Sequence, residues 1–272
     1  MSNITLLNGD CLELMKDIPD NSVDMILCDL PYGTTACQWD IIIPFDKLWE
    51  QYTRIIKDKG CIALFGSEPF SSALRMSNVE MYKYDWVWVK NRATSHAHSK
   101  NKPMKIHENI IIFSKGFTVH ESQTTNRMNY FPQDLTPMPK GSTRKRNDKG
   151  DDTVMSKRKS HHETPYEFTN YPVDVIYNKI EMGKERFHPT QKPVELLEYL
   201  IKTYTNEGDV VLDNCMGSGS TGVASKNLNR DFIGIELDEN YFKIAKERIK
   251  SDDIINISCD ETNTSNSRKK LF

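Results

Sequence analysis

Two short stretches of this sequence place carboxylates where a turn would expose them. In VVLDNCMGSGSTG, residues 210–222, an apolar run ends at Asp213 and passes into a glycine-rich turn at Gly217, Gly219 and Gly222. Glycine lets a ligand approach backbone that a side chain would otherwise block. The next apolar run, DFIGIE at 231–236, ends at Glu236. An acid at the tip of that second strand can accept hydrogen bonds from ribose hydroxyls. The spacing Gly217-x-Gly219-x-x-Gly222 also fits a dinucleotide, so a nicotinamide-dependent oxidoreductase is the competing reading. Asp213 weighs against it, because a carboxylate beside the turn repels a pyrophosphate and suits a ligand carrying a cationic amine. A tight βα turn that binds nothing is the bland alternative.

The second stretch is Asp29-Leu30-Pro31-Tyr32-Gly33, directly after the apolar run VDMILC. Ligands of open α/β sheets bind beyond the carboxyl ends of the strands, which is where this turn falls. An aryl amine is a poor nucleophile because its lone pair is delocalised into the ring. Alkylating one calls for acceptors that pull on its hydrogens and localise the lone pair. The Asp29 carboxylate and the Leu30 carbonyl can be two such acceptors, with Pro31 stiffening the turn that holds them. Tyr32 offers a face on which an unstacked base can lie. An ordinary strand-ending Asp-x-Pro turn is the plain alternative.

The elements that must position these turns follow from the apolar pattern. Runs rich in Val, Ile and aromatic residues at 4–7, 23–28, 61–65, 84–89, 109–113, 210–213 and 232–236 predict strands. Helices are predicted at 44–57, 193–204 and 239–250, the last capped by Asp238. Strands alternating with helices predict an α/β fold, a Rossmann-like doubly wound sheet. Between Gly116 and Arg186 the rhythm stops and Pro132, Pro137, Pro139, Gly141 and Gly150 punctuate a polar, basic segment too long for a connecting loop. It is expected to be an insertion, and the polar stretch from Ser251 to the end a frayed tail.

A net charge of −2 hides a segregated distribution. Lys90, Arg92, Lys100, Lys102 and Lys105 occur with no acid among them, and residues 140–159 hold eight basic residues against Asp148, Asp151 and Asp152. Such runs are the footprint of a polyanion partner or simply solvated loops. The six cysteines show no C-x-x-C pair, so reduced thiols are expected. The pairs His96/His98 and His161/His162 lack neighbouring Cys, and no metal is expected. No apolar run approaches the length of a membrane span and MSNITLLNGD lacks a signal-like pattern, so a cytoplasmic protein without membrane contact is expected.

Taken together, the two motifs resemble those of the β-class DNA amino-methyltransferases, in which a D-P-P-Y-type motif precedes the glycine-rich motif and a target-recognition region lies between. Asp29–Tyr32 precedes Asp213–Gly219 here, with the basic insertion between them. Two further segments match: Asn8-Gly9-Asp10, whose acid meets the cofactor adenine in the family, and His188-Pro189-Thr190-Gln191-Lys192-Pro193, which lines the methionine end. The likeness spans roughly residues 4 to 250. It implies S-adenosylmethionine as cofactor, held by Asp10, Cys11, Asp29, His188, Thr190, Lys192, Asp213, Cys215, Gly217, Ser218, Gly219, Thr221 and Glu236. It implies Asp29, Leu30, Pro31 and Tyr32 as the catalytic turn, and double-stranded DNA as the substrate. The corresponding division is 1–116 and 187–250 as the catalytic and cofactor-binding halves of one methyltransferase domain, 117–186 as the target-recognition region, and 251–272 as the tail. Two departures are Leu30 for the commoner first proline and Asn214-Cys215 where the family often has Pro-Phe.

Ring-carbon methylation of cytosine needs a thiolate nucleophile, normally in a Pro-Cys pair, and the sequence has none. Adenine N6 is the expected target because Asp, not Ser, opens the tetrapeptide, with cytosine N4 the alternative that the acceptor chemistry leaves open. A DNA-binding protein without turnover is a further alternative. A homodimer and a cognate restriction endonuclease are partners that family analogy leaves open.

Overall fold

In the computed structural model, the described residues are 2–33, 40–94, 96–119, 124–140, 142–144, 164–165, 167–179 and 191–250. In chain order the main elements are β1 (Ile4–Asn8), α1 (Cys11–Leu14), β2 (Val23–Cys28), α2 (Phe45–Ile55), β3 (Ile56–Gly66), α3 (Phe70–Ser77), β4 (Tyr82–Thr94) and β5 (Lys105–Phe113). After these come β6 (Val175–Tyr177), α4 (Val194–Tyr204), β7 (Val210–Asp213), α5 (Ser220–Asn227), β8 (Asp231–Glu236) and α6 (Glu239–Lys250).

All six residues of β2 are buried, as a strand with both faces covered requires. Its side chains alternate between two cores. Val23, Ile26 and Cys28 join one with α2 and α3, through Leu48, Tyr52, Ile55, Phe70 and Leu74. Met25 and Leu27 join the other with α4, α5 and α6, through Leu196, Leu200, Ala224, Ala245 and Ile249. The result is a three-layer sandwich, α1–α3 on one face of the sheet and α4–α6 on the other.

The sheet runs β1-β8-β7-β2-β3-β5-β4-β6. Neighbours are parallel except where β5 pairs antiparallel with β3 and with β4. The chain winds outward in both directions from the β7–β2 junction, so the topological switch point lies there, where open α/β sheets take their ligands. Short two-residue ladders pair Thr136–Pro137 with Phe168–Thr169 and Thr143–Arg144 with Thr164–Pro165.

The strands and helices expected from the sequence are present, but β4 and β5 run longer than the expected 84–89 and 109–113, to Tyr82–Thr94 and Lys105–Phe113, and other differences follow. Strand β3 starts at Ile56, not Cys61, because pairing with β2 begins at Ile56 opposite Val23 while Lys57 Nζ holds the buried Asp24 at 2.7 Å. That pairing also cuts the expected helix 44–57 short at Ile55. Helices α1 and α3 were not anticipated, being only 4 and 8 residues long. Within the segment expected as an insertion, Val175–Tyr177 add an edge strand beside Val87–Val89. Met128 of the same segment packs into the core.

Gly222 is explained by packing. A Cβ there would sit 2.4 Å from Ile249 Cδ1 and 2.7 Å from Phe232 Cε1, both buried side chains. Alanine ordinarily gains about 1 kcal/mol over glycine in a helix. Overpacking a tight core costs about 1–3 kcal/mol, so the clash wins. Gly222→Ala is expected to lower the urea midpoint at unchanged slope, and a raised midpoint contradicts this packing account.

Candidate active site

The carboxyl ends of β1, β8, β7 and β2 open on a cleft of about 990 Å3 whose wall carries Asp10, Glu236, Asp213 and Asp29. On the β7 side, Asp213 Oδ2 accepts from the Thr221 hydroxyl at 2.6 Å and Oδ1 from the Cys215 N–H at 3.1 Å. The turn that follows needs left-handed backbone, with φ +52° at Gly217 and +82° at Gly219. It carries the Gly217 N–H to Glu236 Oε2 at 2.8 Å, while the Asp238 N–H donates to Oε1 at 2.8 Å. These two donors orient Glu236 at the tip of β8. Burial pushes the Asp213 carboxyl up to about 6, against its hydrogen bonds from Thr221 and Cys215. Burial also raises Glu236.

Departure from the expected Pro-Phe pair has a local explanation. The buried Tyr52 hydroxyl donates to Asn214 Oδ1 at 2.5 Å, tying α2 to the turn, and Asn214 Nδ2 lies 3.5 Å from Cys215 Sγ.

On the β2 side the tetrapeptide forms a connected unit. The Tyr32 hydroxyl donates to Asp29 Oδ1 at 2.7 Å. Its ring stacks on Phe70 with centroids 4.8 Å apart and planes 23° apart. Burial first, then the Asp29 charge, holds the phenol well above its ordinary pKa, so it remains a donor. The Gly33 N–H donates to Asp40 Oδ1 at 2.8 Å and pins the exit of the turn. Leu30 is buried and lines the cleft with Pro31.

Lys192 was expected beside the cofactor's methionine end. Its ammonium contacts Asp29 Oδ2, lies 3.5 Å from Glu108 Oε2 and sits 4.9 Å over the Phe65 ring. Burial works against this charge, but Asp29 and Glu108 outweigh it and raise the Lys192 pKa above its ordinary value.

Asp10, Cys11, Asp29, Leu30, Pro31, Tyr32, Lys192, Asp213, Cys215, Gly217, Ser218, Thr221 and Glu236 all line the one cleft. Asp10 also caps α1, accepting from the Leu12 N–H at 2.8 Å. Gly219 is not on the wall. It opens α5, and a Cβ there would meet Ala245 Cβ at 2.9 Å. Ser218 is fixed from behind by Arg248, which reaches its carbonyl at 2.6 Å and its hydroxyl at 2.9 Å. His188 and Thr190 lie outside the described residues.

Sequence reasoning missed Glu108, Phe65, Phe70 and Trp88. The available signal was a charged residue, Glu108, leading the apolar run NIIIF on a strand. Lys90, read with the basic run 90–105 as a polyanion footprint or solvated loop, is held by an acid of the site. Its ammonium is partly buried against the Glu108 carboxylate and 5.0 Å over the Trp88 ring. Arg92, Lys100 and Lys102 of that run are exposed.

A family model described as DNA methylase, of the N6/N4 methyltransferase type, matches residues 23–247. The Type II methyltransferase M.HpaI of Haemophilus parainfluenzae is 29% identical over 258 residues, covering 91% of this chain and 74% of that protein. The Type II methyltransferase M2.LlaDCHI of Lactococcus lactis subsp. cremoris is 27% identical over 265 residues, covering 91% and 89%. Among solved structures, the M1.HpyAVI–SAM complex aligns with TM-score 0.59 and 27% identity over 91% of this chain and 100% of its own. The PvuII DNA methyltransferase, described as cytosine-N4-specific, aligns with TM-score 0.64 over 93% and 89%. At 16% identity that second likeness bears on the fold alone.

The raised Asp213 pKa sets a pH test. An acid whose pKa is higher folded than unfolded holds an extra proton in the folded state between the two values. Stability therefore falls as pH rises from about 4 to about 6 and stays lower above, by up to roughly 3 kcal/mol. Urea midpoints of the parent chain should fall relative to Asp213→Asn across that window and run parallel to it above. A constant difference from pH 4 to 7 contradicts the assignment.

Proposed function

The chain belongs to the N6/N4 DNA methylase family, and from that membership we propose that it is an S-adenosylmethionine-dependent methyltransferase acting on adenine N6 in duplex DNA. One observation carries the reading: the Asp29–Tyr32 turn and the carboxylates Asp213 and Glu236 share a single cleft at the switch point of the sheet.

The residues present suit this cofactor. Glu236 is oriented at a strand tip, where ribose hydroxyls are taken by other nucleotide-binding sheets. Asp213 is buried, and a cationic amino group beside it would favour its ionised form. The φ of +52° at Gly217 exposes backbone, and among the described residues nothing beyond its chain neighbours lies within 4 Å of where a Cβ would stand. When bound, S-adenosylmethionine supplies a methyl group on a sulfonium, an electrophile for a weak nucleophile. Asp10, Asp213, Cys215, Gly217, Ser218 and Glu236 are the residues that would hold it.

The chain's own contribution to the reaction is made at the other side of the cleft. Asp29 accepts a hydrogen bond from the target amine and the Leu30 carbonyl accepts a second. Together they draw the lone pair out of the ring and stabilise the positive charge that builds on nitrogen. Tyr32, backed by Phe70, gives the flipped base a stacking face while its hydroxyl keeps Asp29 aimed. Residues 117–186 are assigned to recognition of the target sequence, with Arg92, Lys100 and Lys102 at phosphates. Adenine is favoured over cytosine because Asp opens the tetrapeptide, and the missing Pro-Cys pair argues against attack at ring carbon.

The test uses labelled S-adenosylmethionine and unmethylated mixed-sequence duplex DNA, digested to nucleosides and resolved by chromatography with mass detection. Label is expected in N6-methyladenine. Label only in N4-methylcytosine would reject the base and keep the reaction, whereas label only in RNA or protein rejects DNA as the substrate.

A further inference from the structure

Behind Asp29 runs a line of four alternating charges that the amine chemistry does not itself require. Asp29 Oδ2 contacts the Lys192 ammonium, Lys192 lies 3.5 Å from Glu108 Oε2, and Glu108 Oε1 contacts the Lys90 ammonium. Lys192, Lys90 and Glu108 keep only 9%, 11% and 14% of their side-chain surface, so solvent does little to screen them. Phe65 and Trp88 wall the two ammonium groups. Glu108 Oε2 is buried and has no hydrogen-bond partner among the described residues.

Glu108 reaches this place through sheet register. It sits opposite Trp88 in the β4–β5 ladder, and Lys90 follows two residues along β4 on the same face. Lys192 arrives from the segment just before α4 and, among the described residues, is the one group that touches both carboxylates.

A carboxylate gripped by a single cation is a weaker hydrogen-bond acceptor than one whose cation is shared. Asp29 has both oxygens engaged, one by Tyr32 and one by Lys192. Whatever draws Lys192 away from Asp29 frees that carboxylate for an incoming amine. Glu108, whose Oε2 lies 3.5 Å from the ammonium and has no hydrogen-bond partner among the described residues, is placed to do so.

We propose that Glu108 is a positioning residue for methyl transfer: it shares the Lys192 ammonium and takes it up as Asp29 turns to the amine of the target base. The proposal rests on the methyltransferase reading above. Burial works against charge on Glu108, but Lys192 and Lys90 hold its carboxyl below the ordinary range, which favours the anion that does the sharing. Lys90 anchors the other oxygen and holds Glu108 in place on the cleft wall.

Single-turnover methyl transfer, with the full chain, S-adenosylmethionine and unmethylated genomic DNA, tests this. Glu108→Gln, which keeps the shape and removes the charge, is expected to slow transfer at least tenfold. Dissociation constants for S-adenosylmethionine and DNA should stay within about twofold. Glu108→Asp, which keeps the charge, should recover most of the loss. Added to Lys192→Met, Glu108→Gln should slow transfer less than twofold further, because the ammonium it would share is gone. A Glu108→Gln rate within twofold of the parent overturns the proposal. So does a Glu108→Asp variant no faster than Glu108→Gln, a loss matched by lost cofactor binding or melting temperature, or a further tenfold drop in the Lys192→Met background. Failure of the parent chain to label any DNA is a different result, and removes the methyltransferase reading itself.

Discussion

The parallel pairing of β7 with β2, Leu212 opposite Ile26 and Val211 opposite Met25, is the contact on which the site depends. It joins two parts of the chain far apart in sequence. The Val210 N–H donates to Asp24 Oδ2 across 186 residues. Because both strands run the same way and stop at nearly the same level, their following turns emerge side by side. One carries Asp213 and the glycines, the other Asp29 and Tyr32. A slip of one residue would exchange the faces of β2, sending Ile26 and Cys28 into the wrong core. The two hydrophobic cores therefore set the register, and the register sets the spacing between cofactor and acceptor.

Once the turns are in place, electrostatics in the cleft separates two kinds of carboxylate. Asp213 is buried among neutral donors and is pushed up to about 6, so a cationic ligand beside it would stabilise its ionised form. Asp29 lies against Lys192, within a line of charges that ends at Lys90. The same protein edge thus keeps one acid waiting for an external cation and supplies the other with an internal one. Aromatic groups do the walling: Phe70 behind Tyr32, Phe65 against Lys192, Trp88 against Lys90.

What could be read from the sequence was what is local. Asp29–Tyr32 after VDMILC, and Asp213 before its glycines, announce themselves because strand, turn and functional group are contiguous. The α/β class followed from the same alternation. The pairing of Lys192 with Asp29 spans 163 residues and has no local signature, so Lys192 was expected at the cofactor alone. Lys90 read as surface charge because its partner Glu108 lies on a different strand, 18 residues on. Gly222 illustrates a reading right in residue and different in cause: its missing side chain makes room for Ile249 and Phe232. Strand β6, two half-exposed residues and the exposed Tyr177 in a polar segment, carried no alternation to recognise.

On this reading cofactor binding and base activation are separate duties on two sides of one cleft, with Asp29 serving the second. Asp29→Ala tests it most directly, with calorimetry for S-adenosylmethionine and single-turnover transfer to DNA measured on the same preparation. The expected result is a cofactor dissociation constant near that of the parent and a transfer rate lower by about a hundredfold or more, the scale of losing a preorganised polar group at the reacting atom. Normal turnover, or a rate that falls only as far as cofactor binding falls, contradicts it.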